Sequence, residues 1–106
     1  MQHFSRMNRG ELLTEIRRLQ ESENQARRSS MIGEEAVIQQ QIRFAKSYLT
    51  DPSSIHPGKL YKVEGEESLF LVEYLNGVMA WGNFVDRRIR EAVPIGILSP
   101  NETDHS

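Results

Sequence analysis

At "DPSSIHPG", residues 51–58, the spacing of apolar residues changes, and that change constrains the fold more than any other feature of the chain. Before it, apolar positions recur about every four residues; after it, they recur every two. A chain that reads helix first and strand second, with no helical pattern between its strands, is α+β with an antiparallel sheet. Asp51-Pro52 stops the helical half, because proline disfavours helical geometry in the residue before it.

In the first half, "NRGELLTEIRRLQ" opens a helix. Asn8 suits the N-cap, and Glu11 three residues on completes a capping box. Leu12, Ile16 and Leu19 form the apolar stripe and Leu13 widens it. The stripe then thins: Glu23 takes a core position and only Ala26 continues it. Ser29, Ser30 and Gly33 mark a turn. A second helix, "EEAVIQQQIRFAKSYL", carries Ile38, Ile42, Ala45 and Leu49 on one stripe, with Val37, Phe44 and Tyr48 beside it. Glu34 and Glu35 suit its positive end. Two helices joined this briefly read as an antiparallel hairpin, residues 8–50.

In the second half, "KLYKVE" alternates, "GEE" turns the chain, and "SLFLVEYL" and "VMAWGNF" flank Asn76-Gly77, the strongest short hairpin signal. A two-residue loop there pairs Leu75 with Val78, Tyr74 with Met79 and Val72 with Trp81. Phe70, Val72, Tyr74, Met79 and Trp81 then share one face, and Leu71, Leu75, Val78, Ala80 and Phe84 the other. Which of the two faces inward is open. Gly82 inside the strand suggests a bulge or a close backbone approach. "DRRIRE" is a charged loop, "AVPIGIL" a last strand placed at an edge by Pro94, and residues 99–106 a disordered tail. Such a short segment curls into a half-barrel. The expected organisation is one domain, residues 1–98: the hairpin, a linker at 51–57 and the small barrel at 58–98, with the helices covering the outer apolar side of the sheet.

Composition removes several kinds of chemistry. With no cysteine, there are no disulfides, thiolate metal sites or thiol nucleophiles. His3, His56 and His105 have no metal-ligand spacing, and no nucleophile elbow or glycine-rich phosphate loop occurs. The chain is therefore expected to be no enzyme and to need no cofactor or metal. Net charge is -2, against the basic excess of a nucleic-acid binder. Residues 1–50 hold a net +2 and the remainder -4. No apolar run is long enough to cross a bilayer, and the expected location is the cytoplasm.

The candidate binding residues are Tyr61, Tyr74 and Trp81, as a stacking platform, and Arg87, Arg88 and Arg90, as a basic loop. Filling of the core competes with the first reading, and a solvated loop tip with the second.

Three stretches, "PGKLYKVEG", "YLNGVMAWG" and "EAVPI", resemble the YfhH-like family of small bacterial proteins over roughly residues 9–98. The resemblance implies an SH3-like barrel behind an N-terminal helical hairpin, and supplies no catalytic residues. Together these readings point to a non-enzymatic binding or adaptor module that recognises a protein partner through the barrel. The alternatives are a nucleic-acid-binding transcriptional regulator and a structural protein that self-associates as a homodimer.

Overall fold

The computed structural model describes residues 4–101. The chain divides after Leu49 into two compact units, each with its own apolar core.

The first unit is two helices, α1 (Arg9–Arg28) and α2 (Ile32–Leu49). The capping box forms as its residues require: Glu11 N–H donates to Asn8 Oδ1 at 2.8 Å, and Asn8 N–H to Glu11 Oε1 at 3.0 Å. Leu12, Ile16 and Leu19 of α1 meet Ile42 and Ala45 of α2, with Ile38 and Leu49 packed alongside. Each fully buried leucine or isoleucine among them contributes about 1.5–3 kcal/mol. Leu13, expected to widen the stripe, is exposed, as are Val37 and Tyr48. The helices turn at Ser29–Ser30. Met31 N–H donates to Ala26 O at 2.8 Å and Ser30 N–H to Arg27 O at 3.1 Å, the bond pair of a Schellman motif. Ser30 holds the left-handed position at φ 57°, where glycine is usual. Gly33, expected in the turn, lies inside α2, which starts ahead of Glu34.

The second unit is a five-stranded antiparallel sheet: β1 (Leu60–Val63), β2 (Phe70–Asn76), β3 (Met79–Phe84), β4 (Glu91–Pro94) and β5 (Leu98–Pro100). The spatial order is β4-β3-β2-β1-β5. The ladder runs from one edge strand to the other without closing on itself. Pro94 does lie on an edge strand, as a missing ladder donor demands. The expected last strand is two, however. A 3-10 turn at Ile95–Ile97 breaks it, so that β4 pairs with β3 while β5 crosses to pair with β1. β5 also takes in Ser99 and Pro100, which the sequence assigned to the tail. The rest of that expected tail, from 102 on, falls outside the described residues.

The sheet's core gathers Tyr61, Val63, Phe70, Val72, Ala80, Phe84, Val93, Ile95 and Ile97. Phe70 and Phe84 are cross-strand partners and meet edge-to-face, ring centroids 5.0 Å apart.

Candidate binding surface on the sheet

The hairpin forms at the expected place but one residue out of the expected register. Gly77 and Val78 make the turn, Asn76 pairs with Met79, Leu75 with Ala80, and Tyr74 with Trp81. Gly77 has φ 61° and Val78 is not among the residues with positive φ. That is the pattern of a II′ turn, whose special geometry sits at its first central residue, rather than the I′ turn that "NG" suggests.

Below Tyr74 the register shifts again, and Val72 pairs with Gly82. Glu73 is the extra residue of a β-bulge. A bulge moves the alternation of side chains by one. Phe70 and Val72 therefore face the core, while Tyr74 faces away from it with Trp81 and Met79 on the outer side. This corrects the single aromatic face expected from uninterrupted alternation. Gly82 is what permits the bulge. A Cβ at that position would stand 1.8 Å from the Leu71 carbonyl oxygen. The glycine thus serves a close backbone approach, as its place in the strand suggested.

On the outer face, the rings of Tyr74 and Trp81 stack with 5° between planes and 6.2 Å between centroids. Tyr74 is 42% exposed and Trp81 half-buried. Tyr61 does not join them. It is buried in the core, and its hydroxyl accepts the His56 N–H at 2.7 Å.

The loop from β3 to β4 is held from several directions. Arg87 N–H donates to Phe84 O at 3.0 Å, closing a turn, and Val85 N–H to Leu69 O at 2.9 Å. The Asn83 side-chain amide donates to Phe84 O at 3.0 Å and to Arg87 O at 3.2 Å. The Arg87 guanidinium lies 4.3 Å over the Phe84 ring. It also pairs with Glu66 at 3.1 Å, Glu91 at 3.3 Å and Asp86 at 3.6 Å. Partial burial works against its charge, but the hydrogen bond and charge of Glu66, then of Glu91 and Asp86, outweigh it and hold its pKa above the ordinary arginine value. Arg90 pairs with the bulged Glu73 at 3.0 Å. Arg88 makes no ion pair with any described residue. The three arginines thus separate into two that tie the loop to the sheet and one left at the surface. Val85 and Ile89, exposed in the same loop, were not singled out by their sequence, although two aliphatics among alternating charges are the signal that could have done so.

A groove of about 490 Å³ lies beside the β1–β2 turn, lined by Val63, Leu69, Ile97 and Leu98 together with Glu66 and Glu67. No pattern along the chain marks this groove, because its walls come from chain segments about thirty residues apart. Among the described residues, no cluster of His, Cys, Asp or Glu could hold a metal ion, and no helix is long and apolar enough to cross a membrane.

The resemblance carried by the "YLNGVMAWG" hairpin holds across almost the whole chain. A curated relative, described as the uncharacterised protein YfhH of Bacillus subtilis (strain 168), is 41% identical over 100 residues, covering 93% of this chain and 96% of the relative. The model of a family described as "Protein of unknown function (DUF1811)" matches residues 2–99, so the chain belongs to that family.

Proposed function

We propose that the chain is a non-enzymatic binding module of the bacterial cytoplasm, which recognises a protein partner through the outer side of the β2–β3 hairpin and the adjoining β3–β4 loop. The observation that carries this reading is the stacked Tyr74–Trp81 pair on the side of the hairpin turned from the core. Aromatic rings of this kind supply much contact area and lose little side-chain freedom on binding. The strand order supports the same reading. Four strands in a meander, then a 3-10 turn and a fifth strand returning to β1, is the connectivity of an SH3-like barrel, an architecture that hosts binding sites of many kinds.

Two exposed residues allow a test that leaves the core intact. Cross-linked pull-downs from native cells compare the natural chain with Tyr74→Ala and Arg88→Ala. A protein captured by the natural chain and lost by both folded variants is the expected result. Equal capture by all three overturns the reading.

A further inference from the structure

We infer that Arg88 is the residue of this surface that reads charge, and that the segment it takes from a protein partner is acidic and carries aliphatic side chains. The inference rests on the protein-binding reading above and names the chemistry of its ligand.

The loop contains three arginines, and the structure gives them different work. Arg87 is committed to Glu66, Glu91 and Asp86 and to the face of Phe84. Arg90 is committed to Glu73. An incoming carboxylate would have to displace an existing one from either. Arg88 has no such competitor among the described residues, so a carboxylate arriving there gains a charge-assisted, two-pronged hydrogen bond without breaking another. Arg88 is flanked in the chain by Ile89, 69% exposed, with Val85, 57% exposed, three residues before it. Neither aliphatic belongs to the sheet's core. The charge that complements the Arg88 guanidinium is therefore negative, and the exposed side chains nearest it along the loop are aliphatic.

The bracing supplies the second half of the argument. The loop is tied by Arg87 N–H to Phe84, Val85 N–H to Leu69, both bonds of the Asn83 amide, and ion pairs to Glu66 in the β1–β2 connection and Glu73 in β2. Its conformation is fixed when the chain folds, so a partner does not have to order it. A free loop tip made only for solubility has no need of such ties, nor of two exposed aliphatics.

The test uses a library of short random peptides on beads, selected against the intact natural chain and against Arg88→Glu and Tyr74→Ala. Arg88 is exposed and makes no ion pair with a described residue, so its variants should keep the thermal transition of the natural chain. The expected peptides carry Asp or Glu beside Leu, Ile or Val. Arg88→Glu should reverse the preference toward Lys and Arg, and Arg88→Ala should weaken binding of a selected acidic peptide about tenfold or more. Peptides with no acidic bias, or an unchanged selection with Arg88→Glu, overturn the inference. If Tyr74→Ala then abolishes their binding, the protein-binding reading survives without it. No enrichment of any peptide by the natural chain overturns both.

Discussion

A Cβ placed on Gly82 would meet the Leu71 carbonyl oxygen at 1.8 Å, a separation that only movement of one strand against the other could relieve. Gly82→Ala should therefore cost more than ~2 kcal/mol, and it should blunt the near-ultraviolet circular dichroism of Trp81, whose strand would have to shift. Ser30 presents the opposite case. It occupies a left-handed position at φ 57° that costs an L-residue roughly 1–2 kcal/mol, and glycine adopts it without penalty. Allowing for glycine's greater freedom in the unfolded chain, Ser30→Gly should stabilise the helical unit by about 0.5–1 kcal/mol in denaturant unfolding. At Asp51 the effect is one of pH. The Ser53 backbone N–H donates to its carboxylate at 2.9 Å, and that bond holds the pKa below the usual carboxylate value. Folding therefore favours the ionised form. Its contribution is complete above the ordinary carboxylate range and is lost as pH falls through and below that range. Unfolding of Asp51→Asn, followed against the natural chain from neutral pH downward, should show the difference between the two shrinking in acid.

At the scale of the element, the helices were readable because their cues are local. Asn8 and Glu11 are three residues apart, and the stripe of Leu12, Ile16 and Leu19 comes from one turn to the next. The strands were readable for the same reason, from alternation and from Asn76-Gly77. What sequence could not give was register. A turn moved by one residue, onto Gly77 and Val78, and a bulge at Glu73 each change which side chain faces the core, and both depend on how two strands meet rather than on either one. The same holds for Tyr61, whose place in the core is set by pairing with Phe70 across the β1–β2 ladder. The face assignment can be checked directly. Phe84, buried edge-on against Phe70, should cost about 3–5 kcal/mol when changed to alanine. Tyr74, on the outer face, 42% exposed and stacked on Trp81, should cost less, about 0.5–1.5 kcal/mol. The uninterrupted alternation would have put Tyr74 on the face of Phe70 and predicted comparable losses on one side of the hairpin.

Over the whole molecule, the partners of the basic residues bear on whether a surface like this one suits protein or nucleic acid. The sequence shows thirteen Lys and Arg against fifteen Asp and Glu, but not which of them meet. The structure shows several of them answered within their own unit. On α1, Arg18 pairs with Glu15, and Arg27 with Glu23 and Glu35. On the sheet, Arg87 pairs with Glu66, Glu91 and Asp86, and Arg90 with Glu73. The Arg87–Glu66 bond joins residues 21 apart, beyond the reach of any pattern along the chain. A polyanion gains affinity by releasing counterions from phosphates that free cations neutralise, roughly one unit of salt dependence for each contact. Arg88 is the arginine of the β3–β4 loop with no ion pair among the described residues, and residues 51–106 carry a net charge of -4, so this loop presents few such contacts to a duplex. On the protein-recognition reading, a mobility-shift titration with duplex DNA should show no retarded band at about 0.15 M salt, and at most a weak one at low salt. A band that persists at physiological salt, with a slope of several, would overturn the proposed protein partner in favour of nucleic acid.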